Sequence, residues 1–230
     1  MHTIYLHGFG ASPAQFDKLR EHLPYTGTAP LLPGHGTRPE DLIGVSYKDW
    51  LDAARDELFR HDDVLLVGVS NGANIALKLA SEWPQNIRGV VSICAPIFLR
   101  DRRLALLPYA ERFKDRMVKN YTEHPETNYT TYPVCGVLEF MRLGNDVRQS
   151  VADITAPTLI ISSTLDKVVL EPKSSEYLRK HIPHAQHVPF GLPFHGLLRP
   201  PAEYAHVVPV IAYAIDRFAQ SLEQRLEEAV

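Results

Sequence analysis

Short apolar runs rich in β-branched residues recur along the chain, and each ends in a turn signal. They are Thr3–Leu6, Thr28–Leu32, Val64–Val69, Gly89–Cys94, Thr158–Ser162 and, less cleanly, Ala185–Phe190. Runs such as VLLVGV and LIIS are almost unbroken, as a strand buried on both faces requires. Helical patterns fall near Pro13–Leu23, Tyr47–Arg60, Asn71–Trp83, Lys173–Lys180 and Val210–Glu228. In the third of these, Ala73, Ala76, Leu77 and Ala80 share one face, and Pro84 stops the helix. Strands alternating with helices predict a parallel sheet covered on both sides.

The alternation lapses between Ile97 and about Val151. Two helices are expected there, Arg102–Lys119 and Val134–Leu143, joined by the tyrosine-bearing stretch NYTEHPETNYTTYP. An excursion of that length without a strand is too long for an ordinary connection and suits a lid or binding segment. The expected organisation is a sheet domain made of residues 1–97 and 151–230, with residues 98–150 inserted as a small helical cap. With 230 residues, of which 45% are hydrophobic, the chain supports one sizeable core. A formal net charge of -3 gives no reason to expect a nucleic-acid partner. Arg100, Arg102 and Arg103 read as a solvated helix start. Two cysteines, Cys94 and Cys135, are too few for a disulfide framework, and Cys94 in VVSICA reads as a small buried hydrophobe. No secretory pattern precedes the first strand, and no apolar run reaches membrane-span length. A cytoplasmic protein without stable membrane insertion is the expectation.

Chemistry enters with GVSNGA, residues 68–73, between a strand run and a helix run. A serine hydroxyl is a poor nucleophile without a base, and it needs backbone N–H groups close by to hold a developing oxyanion. A strand-to-helix corner lifts Ser70 above the sheet edge and aims the first helix amides, that of Asn71 foremost, at the same point. G-x-S-x-G in this setting is a nucleophile elbow; the structural alternative is an ordinary serine N-cap. LHGFG, residues 6–10, offers a tight turn around Phe9 that can present a second amide inward. His7 in that turn, and His35 in LLPGHG, suit loop-stabilising roles better than catalysis. An acid and a base should follow at carboxyl ends of later strands. Asp166 stands just past one strand and His195 after the last, in the order Ser70, Asp166, His195. Asp153 is the rival acid but precedes its strand. His181, His184, His187 and His206 lie in or beside regular elements without a loop to carry them over Ser70. The spacing of His181, His184 and His187 by three lacks the partners of a zinc motif, so no metal and no cofactor is expected.

With HGFG, PGHG, GVSNG, Asp166 and His195 placed, the chain resembles the α/β-hydrolase superfamily, and within it the small bacterial carboxylesterases and monoacylglycerol lipases. PLLPGHGTRPEDL, DWLDAARDEL, NIALKLA and SICAPIFL are similar to segments of those enzymes. The resemblance implies an α/β-hydrolase fold with Ser70 as nucleophile, His195 as base, Asp166 as orienting acid and the Phe9 and Asn71 amides as oxyanion donors. It also implies a helical cap and hydrolysis of a small-molecule ester without a cofactor. Two departures stand out. The usual N-terminal hairpin is absent, so about six strands are expected, with the edge near Thr28–Leu32 less covered. Asn71 replaces the apolar or Gln residue more common after the nucleophile. Cap stripes containing Leu106, Leu107, Tyr109, Phe113, Val137, Leu138 and Met141 are expected mostly to pack, with Leu107, Phe113, Leu138 and Met141 the candidate acyl-binding positions. The same triad would also serve a thioesterase or a menaquinone-pathway synthase, the latter needing cationic clamps such as Arg100, Arg102, Arg103, Arg142 and Arg148. A non-catalytic ligand receptor is the remaining reading.

Overall fold

The structure is a computed structural model that describes residues 1–101, 113, 115–120 and 128–227. In chain order the elements are β1 (His2–Leu6), α1 (Asp17–Arg20), β2 (Gly27–Thr28), α2 (Tyr47–Leu58), β3 (Val64–Val69), α3 (Asn71–Glu82) and β4 (Ile87–Ile93). There follow β5 (Met117–Lys119), β6 (Thr131–Pro133), α4 (Val134–Ser150), β7 (Thr158–Ser163), α5 (Lys173–His181), β8 (Gln186–Phe190) and α6 (Val207–Glu227). Six strands form one sheet in the order β2-β1-β3-β4-β7-β8, and every pairing in it is parallel.

The near-continuous apolar runs are explained by two cores, one on each face. Ile4, Leu6, Val64, Leu66 and Ile160 face a cluster shared with α2, α3, α4 and α5, including Trp50, Leu77, Leu143 and Leu178. Their strand neighbours Tyr5, Leu65, Val67, Leu159 and Ile161 face the opposite cluster with Phe16, Leu19 and the apolar side of α6. A strand alternates its side chains between faces, so a two-sided sheet needs apolar residues at consecutive positions.

Several elements depart from expectation for local reasons. The strand expected over Thr28–Leu32 pairs only at Gly27–Thr28. Pro30 has no N–H for the ladder, and the Leu32 amide donates instead to His7 Nε2 at 3.2 Å. The helix expected over Pro13–Leu23 is a 3₁₀ turn, Pro13–Phe16, followed by the single turn of α1. Helix α3 is buried from Asn71 through Ala80 rather than on one face, because it lies against the sheet and against both α2 and α4. Helix α6 starts at Val207, three residues before the expected start, since Pro209 falls in its first turn, where no intrahelical N–H bond is lost. Helix α4 runs on to Ser150, past the expected Leu143.

Of the helix expected over Arg102–Lys119, residues 102–112 and 114 lie outside the described residues. Its end is not helical: Met117–Lys119 pairs antiparallel with Thr131–Pro133 as a two-stranded ribbon. Val118 opposite Tyr132 is a β-branched and aromatic cross-strand pair of the kind that favours strands. No helix among the described residues is long and apolar enough to cross a membrane.

Candidate active site

Ser70 sits between the last residue of β3 and the first of α3, with φ 53° and ψ -118°. Such a conformation costs a non-glycine residue about 1–3 kcal/mol and must be held by its surroundings. The Ser70 amide is tied to the Ile93 carbonyl of β4 at 2.8 Å. Close approach holds the rest of the corner. A Cβ on Gly68 would lie 2.2 Å from the Gly72 carbonyl oxygen, and one on Gly72 would lie 1.8 Å from the Leu6 carbonyl oxygen. Gly72→Ala is therefore expected to destabilise the fold by several kcal/mol, read as a lowered urea midpoint with an unchanged slope.

The parallel sheet brings the three candidate residues together at its carboxyl edge. His195, on the loop after β8, donates from Nδ1 to Asp166 Oδ2 at 2.7 Å. That tautomer leaves Nε2 to accept from the Ser70 hydroxyl at 2.8 Å. Asp166 is buried in the turn after β7, and its other oxygen, Oδ1, accepts the amides of Val168 at 2.7 Å and Val169 at 2.9 Å. Burial pushes the Asp166 pKa up, but His195 and these two amides outweigh it and hold the carboxyl below its ordinary value. It is thus a carboxylate at neutral pH. Asp153 lies exposed on a 3₁₀ turn ahead of β7, at the far end of the sheet.

The HGFG loop lies beside the serine. A Cβ on Gly8 would stand 3.4 Å from the Ser70 Cβ, and the Gly8 amide is fixed by Gln15 Oε1 at 2.8 Å. Among the described residues, the backbone amides of Phe9 and Asn71 make no hydrogen bond to a protein group. His7 and His35 are buried structural groups. His7 donates from Nδ1 to the Gly8 carbonyl at 3.0 Å and accepts from Leu32; His35 Nδ1 reaches the Pro33 carbonyl at 2.9 Å. Burial lowers the His7 pKa to about 3 and the His35 pKa to about 4. Both must gain a proton on unfolding below pH 6.5, so their contribution is whole above that pH and is lost as pH falls toward 4. On the order of 5 kcal/mol should disappear across that window. Urea unfolding at pH 7.5, 5.5 and 4.5 checks the slope.

Several neighbours carried no signal in the sequence. Tyr132, on β6, donates to the Phe9 carbonyl at 3.3 Å, accepts from Asn120 Nδ2 at 2.8 Å and occupies the space beside Gly10 that a Cβ would need. Tyr129 donates to the Gly34 carbonyl at 3.0 Å, so the segment before α4 is pinned to both glycine-rich loops. The first turns of α4 join it: Phe140 stacks on Phe9 with ring centroids 5.3 Å apart. After β4 the chain pairs with the acid turn, through Leu99 opposite Val169 and Arg100 Nε on the Asp166 carbonyl at 3.0 Å. Cys94 is buried as expected, but its sulfur also lies within 4.8 Å of ligand atoms of Asp166 and His195. Burial, then the Asp166 charge, raises its thiol pKa well above the ordinary value. The Asn71 and Asn74 side chains are buried and find no hydrogen-bond partner among the described residues.

Among the candidate acyl-binding positions, Leu138 is buried, Met141 half-buried and Phe113 exposed, whereas Leu107 lies outside the described residues. Three of the candidate clamp arginines are engaged elsewhere: Arg100 as above, Arg148 on the Ile97 carbonyl at 2.6 Å, and Arg142 with Glu139. Arg102 and Arg103 fall outside the described residues. Of the other histidines, His181 Nδ1 bonds the Tyr177 carbonyl at 2.8 Å and His187 Nε2 the Ser162 hydroxyl at 2.9 Å.

A parallel six-stranded sheet with a strained serine corner after its third strand in sequence, and an acid and a histidine on later strand ends, defines an α/β hydrolase. Residues 4–220 match the alpha/beta hydrolase family, and the chain belongs to it. It is 28% identical over 180 residues to a carboxylesterase of Bacillus subtilis, a match covering 73% of this chain and 72% of that one. It is likewise 28% identical over 179 residues to a thermostable monoacylglycerol lipase of a Bacillus species, covering 73% of this chain and 71% of the relative. In structure it is similar to a metagenome-derived lipolytic enzyme, with a TM-score of 0.82 at 22% identity over 94% of this chain and 93% of the other. The α/β-hydrolase fold with about six strands is thereby borne out.

Proposed function

We propose that this protein is a carboxylic ester hydrolase in which Ser70, His195 and Asp166 act as nucleophile, base and orienting acid. The observation that carries this reading is the unbroken hydrogen-bonded chain from the Ser70 hydroxyl through His195 to Asp166, at 2.8 and 2.7 Å, on a strained corner. The family and the carboxylesterase and lipase relatives support the ester-hydrolase class. His195 takes the Ser70 proton as Oγ attacks the ester carbonyl, and the Phe9 and Asn71 amides receive the oxyanion. Collapse of the intermediate expels the alcohol, which leaves with the proton from His195. Water then repeats the sequence on the acyl-enzyme. Asp166 keeps the proton on His195 Nδ1 and stabilises the imidazolium while it lasts.

Residues 98–150 act as the cap in this reading, and its described part reaches the site loops through Tyr129, Tyr132 and Phe140. Leu138 and Met141, three apart on α4, are the acyl-side positions it favours, for short- to medium-chain esters. A series of p-nitrophenyl esters from acetate to laurate tests the class, with acyl thioesters of the same lengths alongside. Turnover concentrated in the short and medium esters supports the proposal. Turnover of thioesters alone, with no ester cleaved at any length, would reject it.

A further inference from the structure

We propose that the protein carries a zinc-class divalent-metal site formed by His2, Glu57 and His61, separate from the catalytic centre. Glu57 lies in the last turn of α2 and His61 follows four residues later, while His2 opens β1. One imidazole nitrogen from each histidine and a carboxylate oxygen of Glu57 lie within 4.8 Å of one another, with both histidines half-buried and Glu57 buried. The His2 and His61 rings stack with centroids 3.6 Å apart and planes 12° from parallel. Two positive rings stacked this closely would repel, so the pair suits one shared cation.

The donor chemistry narrows the ion. Arg60 holds Glu57 Oε2 at 2.9 Å, and Oε1 is left facing His61 Nε2 at 3.6 Å. Two neutral imidazoles and one carboxylate oxygen suit zinc and its borderline neighbours, not magnesium or calcium, which want oxygen donors. Tetrahedral zinc spaces its ligand atoms about 3.3 Å apart, so binding would draw together a set that already lies within 4.8 Å. A fourth position would stay open to water. His2 pairs with Val64 at the start of β3, whereas Ser70 follows its other end. Six strand residues separate the two, about 20 Å. The metal would clip the end of α2 to the first strand and take no part in ester cleavage.

Zinc titration by calorimetry, with turnover and thermal unfolding followed in parallel, decides the matter. One Zn²⁺ per wild-type chain is expected, with no response to Mg²⁺. At a hundredfold excess over Kd the unfolding midpoint should rise by roughly 5–10 °C. His2→Gln and His61→Gln should each weaken binding by about tenfold or more, as lost ligands and even their outer partners do. His61→Cys, which keeps a soft donor, should retain it. Turnover should be unchanged at saturation, because the competing cluster of Cys94, Asp166 and His195 would instead lose activity in step with occupancy. No binding, binding indifferent to both Gln variants, or inhibition that tracks occupancy would overturn the site.

Discussion

Ser70→Ala is expected to fold normally and to lose roughly 10⁴-fold or more of its ester turnover, about 5.5 kcal/mol of transition-state stabilisation. The corner is set by the glycines on either side and by the Ser70 amide on Ile93, none of which the substitution touches. Alanine adopts the same φ of 53° at the same cost, so the urea midpoint should move little. What disappears is the one oxygen that His195 Nε2 faces. Triad members act as a unit, so the residual rate should reflect binding and the amides of Phe9 and Asn71 alone. A purified variant with a tenth of the wild-type rate would place the nucleophile elsewhere.

Asp166→Asn should cost on the order of 10⁴-fold in kcat while leaving the fold intact. The carboxylate divides its work: Oδ1 accepts two backbone amides and Oδ2 accepts His195 Nδ1–H. An amide side chain has one acceptor oxygen and must give up one of these. If the oxygen stays with the Val168 and Val169 amides, the new NH₂ faces Nδ1 and drives the ring to the tautomer that cannot accept the Ser70 proton. Asp153→Asn, exposed at the opposite end of the sheet, should stay within a few-fold of wild type. The reverse ranking in a steady-state comparison would move the acid to Asp153.

The central strands were legible because each is buried twice over. Val64–Val69 and the Leu159–Ile161 centre of Thr158–Ser163 feed alternate residues to two cores and therefore read as consecutive apolar residues. The elbow was legible because its glycines answer a backbone clash that allows nothing larger. Asp166 and His195 could be ranked above their rivals because parallel strands gather their following loops at one edge. What stayed hidden has no periodic signature. The β5–β6 ribbon is three residues long on each side, too short to show a period of two. Tyr129 and Tyr132 look like polar loop residues until they are seen against Gly34 and Gly10. The Thr28–Leu32 run reads as a strand, yet one proline and one buried histidine take its ladder away. His2, Glu57 and His61 meet only because β1 and the end of α2 are neighbours across more than fifty residues of chain.

Reaction with a fluorophosphonate probe, followed by peptide mapping, tests the central claim most directly, since an activated serine attacks it far faster than an ordinary hydroxyl. The account predicts one probe per chain, on Ser70, with ester turnover lost in proportion to labelling and no labelling of Ser70→Ala. Label on another residue, or full turnover from protein fully labelled at Ser70, would contradict it.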